Sequence, residues 1–350
     1  MTPWQNSILC WYDKHRRELP WRGISDPYRI WVSEIILQQT RVQQGRAYYE
    51  RFVEAFPTVL HLAEATEDEV LRLWQGLGYY SRARNMHTAA RQIVELGQFP
   101  DTYEGIRSLK GVGDYTAAAI ASFAFGLQCA VVDGNVYRVL SRHFADETPI
   151  DTTLGRKHFS ELATALLPSN RSADYNQALM DFGAMQCVPK NPDCARCPLA
   201  GSCSSAAQGM ADAYPVKSHR TKVSERHFAF VVVMAQEGVW LHRREAGDIW
   251  QGLYEFPLLE FSHEPNLSEV ANHPWVKAHV PQGAAFRQVA SRLKHVLTHR
   301  CLWAEAFVVR LEHADVAVPP GMIWVPLQEL EDYALPKLVT LVAQKAELIP

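Results

Sequence analysis

The sequence predicts two domains of different class, an all-α domain followed by a smaller α+β domain. The chain has 350 residues, which is more than one ordinary hydrophobic core encloses. Up to about residue 213, apolar residues recur at helical spacing, and from residue 228 they form short strand-like runs between Pro and Gly turns. The intervening stretch has no apolar period and is typical of a linker. The predicted parts are therefore 1–213, 214–226 and 227–350.

Bulk composition indicates a globular chain. Hydrophobic residues make up 47% and charged residues 21%, a balance that disordered proteins do not reach. The sequence has no uncharged apolar run of about 18 residues, and no basic segment precedes an apolar one at the N-terminus. We therefore expect a soluble, cytoplasmic protein with no membrane partner. The net charge of -3 argues weakly against a nucleic-acid partner, although it does not exclude a local basic face.

A Gly-x-Gly turn, Gly111-Val112-Gly113, precedes an alanine-rich helical run, 117–125. Glycines at this spacing allow positive φ and bring backbone N–H groups close to a ligand. The helix that follows adds its unpaired N–H groups and the positive end of its dipole, which suits a phosphate. Asp133 follows the next apolar run, so a phosphate anchor and a carboxylate together suggest chemistry on a nucleic acid. An ordinary turn between two helices is the alternative.

A single carboxylate, Glu34, lies within the most apolar helix pattern. This helix is predicted to begin after Asp26-Pro27, an N-cap followed by proline at the first helical position. Because the helix is apolar almost all round, it should be buried. Burial would raise the pKa of Glu34 and make it a candidate proton donor. The alternative is an ordinary ion pair with Arg29 or Arg41.

Three clusters are candidate nucleic-acid contacts. A Trp-Arg pair follows the first helix and could stack on a base and hold a phosphate. A polar Gln-Gln-Thr-Arg cluster ends the Glu34 helix, and a Gly-hinged loop at 76–84 interleaves tyrosines with arginines. A core tryptophan with a surface arginine, or packed tyrosines at a helix end, are simpler explanations. The candidate contact residues are Trp21, Arg22, Gln39, Thr40, Arg41, Tyr79 and Arg82.

Four of the seven cysteines fall in one short loop with the spacing Cys187-x6-Cys194-x2-Cys197-x5-Cys203. Clustered cysteines in a chain expected to be cytosolic indicate a metal site, not disulfides. Four thiolates suit zinc and a [4Fe-4S] cluster equally. The spacing alone therefore predicts a metal site without deciding which metal it holds.

Together these motifs resemble the MutY-type adenine DNA glycosylase family, within the helix-hairpin-helix endonuclease III superfamily. The resemblance covers the whole chain and is carried by Trp31 to Thr40, Leu109 to Ala117, Val132 to Val136 and the cysteine loop. It implies an all-α catalytic region, with a six-helix barrel and helix-hairpin-helix at about 20–130. It further implies an iron-sulfur part built from the N-terminal helix and about 131–213, with a [4Fe-4S] cluster on the four cysteines.

The resemblance implies a monofunctional enzyme of base excision repair that hydrolyses the N-glycosidic bond of adenine opposite 8-oxoguanine or guanine. Glu34 would protonate adenine N7, and Asp133 would stabilise the oxocarbenium ion of the sugar. Tyr115 and Asn135 would position these groups and the water. Relatives that also cut the strand carry a nucleophilic lysine where this chain has Tyr115, so base removal without strand cleavage is expected.

The second domain resembles the family's Nudix-like module, which recognises 8-oxoguanine opposite the adenine. Trp250 to Pro257 and Trp324 to Pro336 fit the family pattern. The family's Phe-Ser-His loop is Leu297-Thr298-His299 here, so the hydroxyl and imidazole are kept but the aromatic ring is lost. The catalytic Nudix box is absent from the sequence, so a recognition module is expected instead of a nucleotide hydrolase.

The remaining contacts also follow from the resemblance. Gln39 and Tyr79 match positions that wedge into the duplex, and Gly111 and Gly113 match the hairpin that holds the strand. The positions near the extruded adenine are Trp21, Arg22 and Gln177. The expected partner is double-stranded DNA containing adenine opposite 8-oxoguanine or guanine, bound by a monomer in the cytoplasm at the nucleoid.

Two other functions are compatible with parts of the sequence. One is a glycosylase of the same superfamily that acts on thymine or uracil opposite guanine, but such an enzyme would not need an 8-oxoguanine reader. The other is a non-catalytic DNA-binding protein with a structural metal loop. A buried acid such as Glu34 is costly without a task, which argues against the second alternative.

Overall fold

The computed structural model describes most of the chain, and it contains helices in the first part and a sheet in the second, as predicted. The described residues are 1–218, 223–235, 237–311 and 317–350. Residues 219–222, inside the predicted linker, lie outside these ranges. The first strand begins at Ser224, so the last residues of the predicted linker are already extended.

Internal contacts divide the chain into two compact units. The first unit comprises Met1–Glu64 and Thr88–Arg220, and the second comprises Ala65–His87 and Thr221–Pro350. The second unit therefore contains a short segment from the helical half of the sequence. The boundaries predicted at 213 and 227 stay a prediction.

The apolar pattern predicts helices at 4–18, 45–56, 67–75, 85–96, 136–144, 156–167 and 172–185, and the structure has a helix within four residues of each of these bounds. In chain order the helices up to residue 218 are α1 Pro3–His15, α2 Pro27–Leu37, α3 Val42–Ala55, α4 Val59–Glu64, α5 Glu67–Leu73, α6 Ser81–Leu96, α7 Tyr103–Ser108, α8 Asp114–Phe125, α9 Gly134–Phe144, α10 Thr153–Ala165, α11 Ser172–Met185 and α12 Ser204–Ala207. Three short helices, α4, α7 and α12, were not predicted, because four to six residues show too little of a helical period to be recognised.

Capping residues fix where the site-bearing helices begin. Asp26 accepts hydrogen bonds from the first backbone N–H groups of α2, and Pro27 occupies its first position. Asp133 caps α9 in the same way. Gly126, at φ 66°, ends α8 in the left-handed conformation that glycine adopts without strain. The sequence therefore sets the entry points of α2 and α9 locally.

The first unit has two groups of packed helices. Helix α1 packs on α11, which in turn packs on α9, with a core that includes Ile8, Val139, Phe159 and Phe182. Helix α2 packs on α3 and α8. Both groups contribute residues to the cavity described below.

The second unit is built on a mixed sheet. Within the described residues its strands are β1 Ser224–Ala235, β2 Gly238–Arg243, β3 Tyr254–Glu255, β4 Leu258–Phe261, β5 Phe286–Val296, β6 Arg300–Leu311 and β7 Met322–Pro326. The order is β3-β2-β1-β6-β5, with β4 on β1 and β7 on β2. The β1–β6 pair is parallel, and the other pairs are antiparallel.

Helices cover both faces of this sheet. They are α13 Leu267–Ala271, α14 Pro274–His279 and α15 Lys337–Lys345. One face packs Phe230 against Leu338 of α15. The opposite face packs Val231 in a cluster with Val270 of α13 and Val276 of α14. The predicted α+β class is confirmed.

Two details of the second unit differ from the sequence analysis. The apolar pattern of residues 331–348 predicts one helix, and this prediction is wrong at its start. Residues Leu327–Asp332 form a 3-10 helix, and α15 begins only after Pro336. Strand β5 was not predicted. Its pairing with β6 is irregular between Gln288 and Leu293, which breaks the alternation that identifies a strand.

Gly183 lets α11 lie directly on α9. A Cβ atom at this position would come 2.6 Å from the Asn135 Cβ and 2.9 Å from its carbonyl oxygen. Gly183→Ala should therefore force the helices apart and cost about 1–3 kcal/mol of unfolding free energy, measured by urea denaturation. Gly201→Ala is the control, because its Cβ would meet nothing within 4 Å. Equal stability of the two variants would contradict the prediction.

Candidate active site

The first unit encloses a cavity of about 800 Å³ that brings together the predicted catalytic residues. The wall is formed by the α1–α2 loop, α2, the start of α3, α8, the start of α9 and α11. The predicted site residues that line it are Trp21, Arg22, Glu34, Gln39, Thr40, Arg41, Tyr115, Asp133, Asn135 and Gln177. These residues come from distant parts of the sequence, so the fold assembles them.

Glu34 is the buried acid of this cavity. Only 6% of the residue is exposed, and burial raises the pKa of its carboxyl group to about 7. The Tyr115 hydroxyl donates to Glu34 Oε2 at 2.7 Å. This hydrogen bond and the positive charge of Arg22 oppose the effect of burial, whereas the charge of Asp133 adds to it. The predicted rise in pKa is confirmed.

The alternative ion pair of Glu34 with Arg29 is not formed. Arg29 contacts Asp26 instead, with 3.6 Å between Nε and Oδ2. The partner of Glu34 is the Tyr115 hydroxyl of α8. Burial beside an acid also raises the pKa of this hydroxyl well above its usual value, so it stays protonated and acts as a donor.

Asp133 is held by the helix that it caps. Its Oδ1 accepts from the backbone N–H groups of Asn135 and Val136, both at 2.8 Å, and its Oδ2 accepts from Asn135 Nδ2 at 2.8 Å. Burial raises the pKa of Asp133, and these hydrogen bonds oppose that rise. The helix dipole that favours the Asp133 anion is that of α9, because Asp133 is the N-cap of this helix.

Arg138 connects this carboxylate to the cysteine loop. Its Nη2 donates to Asn135 Oδ1 at 2.9 Å, and its Nε donates to the Cys187 carbonyl at 2.8 Å. Since a guanidinium can only donate, the Asn135 oxygen must face Arg138 and its NH₂ group must face Asp133. The sequence analysis missed this role. The available signal was the three-residue spacing from Asn135 to Arg138 on one face of a helix.

Trp21 and Arg22 are packed more tightly than the sequence suggested. Trp21 is 5% exposed and meets Tyr49 edge-on at 5.1 Å. Arg22 donates to Gln177 Oε1 at 2.8 Å and to Asp181 Oδ1 at 3.1 Å. Arg22 is therefore committed to a buried ion pair, whereas the sequence analysis considered a phosphate contact.

In the hairpin, only one of the two glycines needs its conformational freedom. Gly111 has φ 77°, in the left-handed region that glycine favours. Gly113 has φ -91° and is the N-cap of α8. A Cβ on Gly113 would meet nothing within 4 Å, so the N-terminus of α8 is open to a ligand.

The residues that match the duplex wedge have unusual backbone conformations. Gln39 has φ 60° and Tyr79 has φ 47°, values that side-chain-bearing residues seldom adopt. Such conformations concentrate at functional positions. Thr40 and the exposed Arg41 follow Gln39 at the rim of the cavity.

The second unit has its own cavity, of about 610 Å³. It is lined by Tyr79 and by the predicted recognition loop Leu297, Thr298 and His299. The hydroxyls of Tyr79 and Thr298 hydrogen-bond to each other. Arg82 lies behind this wall, since it donates to the Gly78 carbonyl at 3.1 Å.

The four clustered cysteines line one small cavity of about 30 Å³. The buried Arg142 guanidinium lies beside it, with Nη1 3.4 Å from Cys187 Sγ. Four thiol side chains around one cavity are a donor set that fits a metal centre. Among the described residues, however, no three His, Cys, Asp or Glu side chains are close enough to hold a single metal ion.

Within the same residues, no helix is long and apolar enough to cross a membrane.

Comparison with known proteins identifies the family. Residues 32–164 match the model of the HhH-GPD superfamily base excision DNA repair protein, and residues 228–345 match that of the NUDIX domain. The adenine DNA glycosylase of Mus musculus is 33% identical over 94% of this chain and 75% of the mouse protein. The chain belongs to the adenine DNA glycosylase family. Another member, from Buchnera aphidicola subsp. Baizongia pistaciae, is 30% identical over 97% of this chain and 95% of its own.

A solved structure supports the fold of the helical part. The structure of a thermostable thymine-DNA glycosylase is 31% identical and superposes with a TM-score of 0.55, over 59% of this chain and 95% of its own. The curated relatives confirm the adenine DNA glycosylase family. The two matched domain models confirm both domain types predicted from the sequence. The Nudix domain accounts for the α+β part.

The buried Glu34 should make stability depend on pH. Its pKa in the folded protein is about 7, against 4.5 in the unfolded chain, so it stabilises the fold fully below pH 4.5 and progressively less as the pH rises through 7. Glu34→Gln removes this dependence. We expect the variant to gain roughly 3 kcal/mol over the wild type between pH 4 and pH 8, measured by urea unfolding.

The exposed Glu54→Gln is the matched control, since it replaces a carboxylate on the surface of α3. Its stability difference from the wild type should hardly change with pH. A Glu34→Gln difference that is equally flat would mean that Glu34 ionises normally in the folded protein.

Proposed function

We propose that this chain is a monofunctional DNA glycosylase that hydrolyses the N-glycosidic bond of adenine opposite 8-oxoguanine or guanine. One observation carries the proposal: Glu34, buried and with a pKa near 7, faces the same cavity as the carboxylate of Asp133. Glu34 has a pKa raised to about 7, and Asp133 accepts hydrogen bonds that favour its ionised form. Two such carboxyl groups in one cavity are the apparatus that glycoside hydrolysis needs.

The reaction begins with the base outside the duplex. Extruding adenine costs a few kcal/mol, and the cavity of about 800 Å³ is large enough to receive a purine. Glu34 gives its proton to adenine N7, so the base leaves as a neutral molecule with the electron pair of the C1′–N9 bond. Tyr115 holds Glu34 in place through its hydroxyl.

Asp133 then stabilises the positive charge on the sugar. The N-terminus of α9 and the Asn135 amide favour its ionised form. Water adds to C1′ of the sugar and its proton returns to the ionised Glu34, which completes hydrolysis and restores the acid. Arg138 keeps the Asn135 amide turned toward Asp133.

Tyr115 limits the enzyme to base removal. Strand cleavage by this superfamily requires an amine that attacks the sugar and forms a Schiff base. A tyrosine hydroxyl whose pKa is raised by burial cannot take that part. The product is therefore an abasic site in an intact strand.

The DNA contacts are distributed over both units. Gly111 and Gly113 anchor a phosphate at the N-terminus of α8, which is open to a ligand. Gln39 and Tyr79 enter the duplex, and their positive φ values support this assignment. Around the extruded base lie Trp21, Arg22 and Gln177, with Thr40 and Arg41 at the rim. Arg82 acts indirectly, by holding the Tyr79 loop from behind.

The base opposite the adenine is read in the cavity of about 610 Å³. Leu297, Thr298 and His299 form part of its wall, and Tyr79 contacts Thr298. A hydroxyl and an imidazole can hydrogen-bond to the edge of 8-oxoguanine, whereas Leu297 offers only apolar contact. We propose that recognition rests on the polar pair.

The cysteine loop is proposed to hold a [4Fe-4S] cluster. Cys187, Cys194, Cys197 and Cys203 would be its ligands, and the cluster would cross-link the loop. The four cysteines line one cavity. Their spacing in the sequence matches the cysteine loop that holds a [4Fe-4S] cluster in the endonuclease III superfamily, which favours the cluster over zinc.

A second candidate is removal of thymine or uracil opposite guanine. The similarity to a thermostable thymine-DNA glycosylase favours it, but that similarity covers only 59% of the chain. The Nudix domain favours adenine, because relatives named adenine DNA glycosylase match nearly the whole chain.

We further propose that the enzyme works as a monomer on nucleoid DNA in the cytoplasm.

Base release is tested with three duplexes, containing adenine opposite 8-oxoguanine, adenine opposite guanine, and thymine opposite guanine. We expect breaks at adenine only, and only after hot alkali. Glu34→Gln should bind the same duplexes but excise at least about 100-fold more slowly, and Glu54→Gln should keep full activity. Breaks at thymine would support the second candidate, and breaks before alkali would refute the monofunctional mechanism.

Metal content tests the cysteine loop. The purified protein should contain about four iron atoms per chain and absorb visible light through thiolate-to-iron transitions. Cys197→Ser should lose this iron, whereas Cys129→Ser should retain it, because Cys129 lies outside the loop. Stoichiometric zinc in the wild type would overturn the assignment.

A further inference from the structure

A buried carboxylate, Asp181, lies behind the wall of the catalytic cavity. Its side chain is fully buried. Arg17 donates to Asp181 Oδ1 from Nε at 3.0 Å and from Nη2, and its backbone N–H lies 3.4 Å from Oδ2. Arg22 donates to the same Oδ1 from Nη2 at 3.1 Å. Both arginines line the cavity, whereas Asp181 does not.

This arrangement fixes the orientation of two further side chains. Arg22 Nη1 donates to the Tyr12 hydroxyl and to Gln177 Oε1, each at 2.8 Å, and the Tyr12 hydroxyl donates to the same oxygen at 2.8 Å. Since Arg22 offers only donors, the Gln177 oxygen must face it. Asp181 thus anchors a chain of contacts that ends at the proposed base site.

The charge balance is equally specific. Two guanidinium groups share one carboxylate, so the wall keeps about one net positive charge instead of two. A fully buried carboxylate is seldom found without a charged partner, and Asp181 does not line the cavity. What it can do is hold the arginines and reduce their field inside the cavity.

We propose that Asp181 is a positioning residue of the glycosylase reaction, which holds Arg22 against Gln177 and limits the positive charge near Glu34 so that Glu34 keeps its proton. This inference rests on the proposed function. It concerns a residue that touches neither the base nor the sugar and acts only through the two arginines.

Several charged or titratable groups line the same cavity as Glu34, and the inference depends on the net charge that they place around it. They are Arg17 and Arg22 from the α1–α2 loop, Arg41 at the start of α3, Tyr115 of α8, Asp133 before α9 and Arg138 of α9. Burial raises the pKa of Glu34, and the charge of Arg22 lowers it. Removing the anion that balances Arg22 would therefore favour ionised Glu34.

The test is the pH profile of single-turnover adenine release. A proton donor must be protonated, so the rate falls as pH rises through the pKa of Glu34. Asp181→Asn leaves two cations unbalanced and should move this alkaline limb to lower pH, by on the order of half a unit. Arg17→Met removes one cation and should move the limb to higher pH.

Opposite shifts separate the inference from a merely structural role. If the substitutions only loosened the cavity wall, both variants would release adenine more slowly. The alkaline limbs of their pH–rate profiles would not move in opposite directions. Asp174→Asn is the matched control, because Asp174 lies on the same helix but is about half exposed and pairs with Arg171. Its profile should coincide with that of the wild type.

Each outcome decides the matter. The inference is overturned if the alkaline limbs of the two pH–rate profiles do not shift, or if they shift in the same direction. The proposed glycosylase function is then unaffected, because it is tested by adenine release from the wild type. If Asp181→Asn does not fold, Arg17→Met alone decides, since an unshifted limb would refute the proposed charge balance. A wild type that releases no base from any duplex overturns the proposed function and this inference with it.

Discussion

The burial of one carboxyl group, Glu34, is the constraint on which the site depends. An ionised acid inside an apolar helix is costly, and here the cost keeps the proton on the group near neutral pH. The groups around Glu34 add little that would stabilise its ionised form. Tyr115 supplies a neutral donor instead of a cation. Arg22, whose charge lowers the pKa of Glu34, forms an ion pair with Asp181.

The site is assembled from both helix groups of the first unit. Helices α2 and α8 supply the acid and its tyrosine, whereas α9 and α11 supply Asp133, Gln177 and Asp181. The contact of Gly183 with Asn135 sets how closely α9 and α11 approach. Arg138 then joins Asn135 to the Cys187 carbonyl, so the cysteine loop and the catalytic carboxylate share one hydrogen-bonded framework.

Sequence reasoning succeeded where a local rule governs the residue. Capping residues explain where α2 and α9 begin. The almost wholly apolar pattern of α2 predicts that Glu34 is buried. It failed where the partner is distant in the chain. Nothing near Arg22 indicates Asp181, more than a hundred residues later. Strand β5 was not predicted, because its bulge interrupts the alternation of apolar and polar residues that identifies a strand. Gly113 is extended, because Gly111 alone supplies the positive φ of the turn.

The interleaved second unit has a consequence for how the chain folds. Segment Ala65–His87 belongs with residues from Thr221 onward, and the sheet is centred on the parallel strands β1 and β6, which are far apart in sequence. Contacts between distant segments form slowly, because loop closure must come first. During synthesis the Tyr79 segment therefore leaves the ribosome well before the strands that it packs with, and the second unit must be completed late, after much of the helical unit can already have formed.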